Sequence, residues 1–435
     1  MDTTHRIKQI IADFEVAALP RATRRTLALP SLPGKVDVVV GMRRTGKTWF
    51  LFQQIAALEA RGVPRSRILY LNFDDERLRP LDASQLQLVP QALYERHPEI
   101  VDQETWYFFD EIQDIPGWEL FIRRMIDSRS ARVVLSGSSA RLLGREIATS
   151  LRGRSLSAEL LPFSFREYLV HHHIDPPERW PATTQQRALL AHHMGRYLLG
   201  GGFPEVQGLD ARLRARILQD YVDGVLFRDV VERHEVTNVA ALRYLVRRLV
   251  KDPAAAFSVN RFFNDLKSQG FRVSKDTLHA YLAHLEDAFL VFPVSIHARS
   301  ERGRMVNPRK IYLADPALAV AHSFDAGADH GHLLENLVYI ELRRRGYEVG
   351  YVRTSSGYEV DFLARRAGER PLLVQVCTEM SDPAVVRREL RALEEALREY
   401  GLESAVVVTL NEEGRAEVRG HEVLWRPAWE WLVRG

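Results

Sequence analysis

Residues 36–48 read Val36-Asp37-Val38-Val39-Val40-Gly41-Met42-Arg43-Arg44-Thr45-Gly46-Lys47-Thr48. An apolar run followed by Gly, four variable positions and Gly-Lys-Thr has the form of a phosphate-binding loop after a buried strand. Gly41 and Gly46 let the backbone turn tightly with its N–H groups facing inward. The Lys47 ammonium can then reach the β- and γ-phosphates of ATP, and the Thr48 hydroxyl can ligate Mg²⁺. Arg43, Arg44, Thr45 and Trp49 complete the stretch expected to contact the nucleotide. The helical pattern from Trp49 to Leu58 supplies the strand, loop and helix order that the motif requires.

The second half of such a site belongs at the carboxyl end of a neighbouring strand. Trp106-Tyr107-Phe108-Phe109 is an aromatic, β-favouring run ending in Asp110-Glu111. Asp110 is expected to hold the Mg²⁺ shell and Glu111 to polarise the attacking water as a general base. A further strand, Arg132 to Leu135, ends in Ser136-Gly137-Ser138-Ser139. Ser136 or Ser138 could hydrogen-bond the γ-phosphate or the water; ordinary helix capping before Leu142 explains the same residues. Arg152 and Arg154, in Leu151-Arg152-Gly153-Arg154, are two permanently charged candidates for a finger acting on a neighbouring subunit's nucleotide.

These stretches together carry a family resemblance. To them are added Leu71-Asn72-Phe73-Asp74-Asp75-Glu76-Arg77, Leu161-Pro162-Phe163-Ser164-Phe165-Arg166-Glu167-Tyr168, Gly201-Gly202-Phe203-Pro204-Glu205, Leu226-Phe227-Arg228-Asp229-Val230, and Leu334-Glu335-Asn336 through Glu359-Val360-Asp361-Phe362. The chain resembles prokaryotic AAA-type ATPases that carry a C-terminal domain of long-unknown function. The resemblance implies that Lys47, Thr48, Asp110 and Glu111 form the ATP site and that Arg154, rather than Arg152, is the finger.

At 435 residues the chain can hold two to three domains. It has no 18-residue apolar run and no signal-peptide core in Met1-Asp2-Thr3-Thr4-His5-Arg6, so a cytoplasmic location without membrane contact is expected. One cysteine, Cys377, excludes an intramolecular disulfide and a cysteine-based zinc finger. His171-His172-His173 and His192-His193 lack acidic or cysteine ligands at usable spacing and read as solvated residues. A net charge of +3 argues for no global basic field. Seven of the 60 basic residues are Lys, leaving 53 Arg. That bias suits phosphate recognition, and it also follows from a GC-rich genome or a heat-adapted source.

The expected fold is α/β: a P-loop AAA-type ATPase core over residues 1–160, a helical lid over 161–250, a winged helix over 251–307, and a small nuclease-like α/β domain over 308–435. A plain helical bundle would show the lid's apolar spacing at Leu242, Leu245, Val246 and Leu249 equally well. In the third segment, Ser258 precedes a short amphipathic helix, Gly270 closes it, and Ser274 starts a second helix with Leu278, Leu282 and Leu285 at helical spacing. That second helix would present Lys275, His279 and His284, with Arg272 beside it, to DNA. Winged helices also serve as packing modules.

The last segment alternates helix, three strands, helix and strand in the order of a PD-(D/E)xK nuclease. That chemistry needs an acid from the first helix, an Asp on the second strand, and an acid and Lys spaced E-x-K on the third. Glu335 and Asp361 occupy the first two places, but the third reads Gln375-Val376-Cys377, and no lysine follows Lys310 to supply the ammonium. A nuclease-like fold without nuclease activity is therefore expected, serving either DNA shape recognition or packing. Two functions suit the whole chain. One is a homo-oligomeric, hexameric ring in which ATP hydrolysis moves or remodels duplex or branched DNA. The other is a regulatory switch in which ATP occupancy changes how the C-terminal domains bind a protein partner.

Overall fold

The computed structural model describes residues 2–127, 130–138, 151, 153–298, 307–323 and 329–434, and all element counts refer to these. They form two compact units: residues 1–160 with 287–289, and residues 161–286 with 290–435.

The first unit runs α1 (Thr3–Val16), β1 (Val36–Val40), α2 (Lys47–Ala60), β2 (Ile68–Asn72), α3 (Leu88–Arg96), β3 (Thr105–Asp110), α4 (Trp118–Asp127), β4 (Ala131–Gly137) and β5 (Ser155–Glu159). Its five strands pair in parallel in the order β2-β3-β4-β1-β5. Strands this apolar are covered on both faces. Val39, Phe108 and Val134 share one core cluster with Phe50, Leu51, Ile55 and Leu58 of α2. Because every strand runs the same way, the residues that follow them gather at one edge. β4 lies between β1 and β3, so Ser136, in register with Val39, stands between the loop at Gly41 and the acids at the end of β3.

The second unit starts with α5 (Phe165–His171), α6 (Thr184–Gly200), α7 (Ala211–Gly224) and a π-helical continuation over Val225–Glu232. The glycines after α6 are more than a break in a helix. A Cβ on Gly202 would lie 2.3 Å from Phe163 O, and one on Gly201, at φ 73°, would lie 2.2 Å from Asp315 Oδ1. Only glycine permits both approaches.

Next come α8 (Val239–Lys251), β6 (Ala256–Phe257), α9 (Val259–Ser268), α10 (Lys275–Asp287), β7 (Val291–Val294) and β8 (Arg309–Leu313). Strand β8 is central in an antiparallel three-stranded sheet, pairing with both β6 and β7. α8 packs on this group: the Tyr244 ring lies 5.6 Å from Phe262 and 6.1 Å from Phe271. α8 and β8 thus both contact residues of the segment between them.

The chain ends with α11 (Ala317–His322), α12 (His330–Arg344), β9 (Glu348–Arg353), β10 (Glu359–Arg365), β11 (Leu372–Val376), α13 (Pro383–Tyr400), β12 (Ser404–Thr409), β13 (Gly414–Val418), β14 (His421–Pro427) and α14 (Ala428–Arg434). Six strands pair in the order β13-β14-β12-β11-β10-β9. The expected helix, three strands, helix and strand are present as α12, β9 to β11, α13 and β12; the hairpin β13–β14 and α14 lie beyond that reading. α14 returns to α5: Arg166 Nη1 donates to Val433 O at 3.4 Å, and Trp180 stacks on Trp429 at 6.2 Å. Among the described residues no helix is long and apolar enough to cross a membrane.

Candidate active site

The loop after β1 closes on itself. A Cβ on Gly41 would meet Leu160 O at 2.3 Å, so the first position must be glycine. Gly46 has φ 93° and caps α2, and Arg44 takes a left-handed φ of 68° between them. Thr45 is buried: its Oγ1 donates to Met42 O at 3.0 Å, and its carbonyl accepts from Arg25 Nη1 at 2.9 Å. Arg25, which the sequence reading passed over, thus braces the loop from behind; no motif signals it.

Lys47 is 6% exposed, and its ammonium folds back onto Gly41 O (3.1 Å) and Met42 O (3.2 Å). These acceptors are neutral carbonyls, and an anionic phosphate is a stronger partner for the same ammonium. Glu111 Oε1 is the nearest carboxylate, at 3.7 Å. At the end of β3, Asp110 is fully buried. Thr48 Oγ1 donates to its Oδ2 at 2.6 Å, Tyr70 OH donates to the same oxygen at 3.0 Å, and Ser136 Oγ donates to Oδ1. Burial raises the Asp110 carboxyl above its ordinary range against these hydrogen bonds. A hard cation suits a hydroxyl and a carboxylate that already touch, so Thr48 and Asp110 fit the donor set of a Mg²⁺ site. Among the described residues no group of three His, Cys, Asp or Glu is arranged to hold a metal by itself.

Glu111, the residue after β3, takes a left-handed backbone conformation (φ 54°), sparsely populated for a non-glycine residue. Burial alone would raise its carboxyl; the Lys47 ammonium, the Gln113 amide, Arg43 and the Ser138 N–H outweigh burial and hold it below its ordinary value. It is therefore an anion at neutral pH. Gln113 Nε2 donates to Oε2 at 2.5 Å, and the Glu111 N–H points to Ser136 Oγ at 3.4 Å. Both serines thus reach the acids, Ser136 by its hydroxyl and Ser138 by its backbone. The capping alternative for them involves residues outside the described ones.

The remaining candidates are spread out. Trp49 stands on α2 with half its surface exposed. Arg154 precedes β5 at the opposite edge of the sheet: Val36 N donates to its carbonyl, and Ser155 is in register with Val36. The five-residue strand between them, six residue steps in all, separates it from the loop by about 20 Å. Arg154 therefore stands too far from its own loop to join that site; its guanidinium pairs with Asp127. Arg152 lies outside the described residues. In the second unit Arg272, Lys275 and His279 are exposed. His284 is not part of that surface: its ring stacks on His234 with centroids 3.6 Å apart. Nine residues separate it from Lys275, which at 100° per residue turns it to the opposite face of α10.

The acid centre expected to lack an ammonium has one. Lys310 Nζ lies 2.9 Å from Glu335 Oε1, from Glu359 Oε1 and from Asp361 Oδ1. It arrives from β8, ahead of the helix and strands that the nuclease pattern counts, so a search for lysine on the third strand or beyond misses it. Gln375 does not face the same point: its Oε1 accepts from Asp361 N at 3.1 Å, and its Nε2 donates to Glu389 at 2.9 Å.

Residues 33–169 match the AAA domain family, residues 191–328 a domain of unknown function (DUF8612), and residues 330–427 a domain of unknown function (DUF4143). The uncharacterized protein MJ1544 of Methanocaldococcus jannaschii is 34% identical over 98% of this chain and 94% of its own length. An uncharacterized protein of Haemophilus influenzae is 30% identical over 91% of this chain and 94% of its own. A solved structure, the Walker-type ATPase paby2304 of Pyrococcus abyssi, overlays 74% of this chain and 94% of its own at 15% identity with a TM-score of 0.37. The chain belongs to the family of these two uncharacterized relatives, and its residues 33–169 match the AAA domain.

Proposed function

We propose that the first unit binds ATP with Mg²⁺ and hydrolyses it in an oligomer, and that the second unit engages DNA. The observation that carries the ATPase reading is the meeting of Lys47, Thr48, Asp110, Glu111 and Ser136 at the carboxyl edge of one parallel sheet. In this reading the Lys47 ammonium leaves Gly41 O and Met42 O for the β- and γ-phosphates. Thr48 and Asp110 would hold the Mg²⁺, which when bound neutralises phosphate charge. Glu111, anionic and freed from Lys47, orients the attacking water and accepts its proton. Ser136, hydrogen-bonded to Asp110 and next to Glu111, keeps the two acids in register. Arg154, remote from its own loop, serves the nucleotide of a neighbouring subunit, so activity requires assembly.

The DNA reading rests on the order helix, strand, helix, helix, strand, strand from α8 to β8, which is that of a winged helix, with Arg272, Lys275 and His279 exposed on or beside α10. The test is the ATPase rate with and without linear, forked and four-way DNA. Stimulation by any of the three supports a DNA-engaged motor. An unchanged rate, together with no binding of micromolar protein to DNA at low salt, replaces it with the protein-binding switch.

A further inference from the structure

A nuclease centre needs its carboxylates to hold a divalent cation, and the residues of the second unit do not fit one. The three oxygens that converge, Glu335 Oε1, Glu359 Oε1 and Asp361 Oδ1, are each 2.9 Å from the Lys310 nitrogen. That is hydrogen-bond distance; Mg²⁺–oxygen bonds are ~2.1 Å long. Two of the ammonium's donors go to Glu335 Oε1 and Asp361 Oδ1, and Glu359 Oε1 completes the ion pairing. The other groups in the centre are also engaged. Tyr312 OH donates to Glu335 Oε1 at 2.7 Å, Val376 N donates to Asp361 Oδ2 at 3.0 Å, and the Gln375 carbonyl is taken by Asp361 N. We propose that Lys310 is a built-in replacement for the divalent cation, converting a nuclease-like metal centre into a structural joint between β8, α12 and β10.

Two further observations agree with this. Burial, with the charge of Asp361, raises the Glu335 carboxyl above its ordinary range, and the Lys310 ammonium opposes that rise. Burial works against the Lys310 ammonium, yet Asp361, Glu335 and Glu359 hold it above its ordinary value. The same joint is stitched a second time nearby. His297 N donates to Tyr351 O at 2.7 Å, Tyr351 N to Ser295 O at 3.3 Å, and Tyr351 OH to Pro308 O at 2.7 Å. The chain leaving β7 and the chain entering β8 are thereby fastened to the edge strand β9, and the three-stranded sheet and the six-stranded sheet are bound together. This inference is independent of the ATPase reading.

Replacing Lys310 by Met keeps the length of the side chain and removes the charge. In nucleotide-free full-length protein with EDTA, Lys310→Met should melt about 10 °C lower, since it strands buried carboxylates without their counter-ion. Millimolar Mn²⁺ should recover much of that loss, because the three oxygens need to contract by only ~0.8 Å each to become ligands. The melting temperature of the parent should not respond, and Lys310→Met combined with Asp361→Asn should lose the recovery. Equal melting of Lys310→Met and parent in EDTA would overturn the proposal, as would equal Mn²⁺ recovery in the double variant. Should Lys310→Met fail to fold, a Mn²⁺ titration of the parent and Asp361→Asn by electron paramagnetic resonance decides the matter. Matching isotherms support the ammonium plug, and Mn²⁺ bound by the parent but not by Asp361→Asn refutes it.

Discussion

Each unit holds a buried lysine among acidic residues, and the two lysines are held in opposite ways. Lys47 rests on two backbone carbonyls, with its one nearby carboxylate, Glu111, at 3.7 Å. Lys310 rests on three carboxylates at 2.9 Å. Carbonyls are neutral and held by the loop, so an incoming phosphate displaces them with a gain in charge pairing. Three carboxylates already satisfy an ammonium, and any ligand would have to leave buried anions unpaired. A lysine partnered by backbone is available for exchange, whereas one partnered by charge is locked.

If that contrast is right, substitution at Lys47 has the largest effect on nucleotide. Lys47→Ala should abolish measurable ATP binding, while Lys310→Met leaves nucleotide affinity unchanged; calorimetric titration of both variants with ATP separates the two centres. A Lys47→Ala protein that binds ATP like the parent would break the comparison at its first term.

Turnover sharpens it further. Arg154→Ala should bind ATP normally and hydrolyse about 10³-fold more slowly, and Glu111→Gln should bind normally and lose on the order of 10² to 10³ in single-turnover rate. The parent's rate per subunit should rise with protein concentration. A concentration-independent rate from a monomer would remove Arg154 from the neighbour's site. A Glu111→Gln enzyme as fast as the parent would remove Glu111 from the chemistry.

Smaller effects belong to the exposed face of the second unit. Arg272→Ala or Lys275→Ala should weaken DNA binding severalfold at low salt and make the salt slope shallower by about one unit per lost phosphate contact. Anisotropy titrations at two salt concentrations measure both. His284→Ala, on the opposite face of α10, should leave affinity and slope as they were.

The acid centre should give no signal at all in a nuclease assay. Linear and branched DNA incubated with the protein in Mg²⁺ or Mn²⁺ should remain intact, because the ammonium of Lys310 occupies the point where the carboxylates converge. Cleavage that disappears in Asp361→Ala would show that the ammonium yields to metal, and the two lysines would then no longer differ in kind.

What sequence alone determined was local. The strand before Gly41, the glycines of the loop, and the carboxylates that end β3 are legible because each rests on a short-range necessity: a tight turn, a close backbone approach, or an acid at the end of a buried strand. The parallel sheet then follows, since apolar strands separated by amphipathic helices have few other ways to bury both faces. The helix and strand order of the last segment was readable for the same reason. What the tertiary structure decided depended on pairs far apart in the chain. Lys310 meets Glu335 and Asp361 across 25 and 51 residues, Arg25 braces Thr45 across 20, and His284 stacks on His234 instead of facing outward. Spacing rules describe neighbours on one element, whereas a charge pair between elements is selected by the burial of both partners, and burial is a property of the assembled fold.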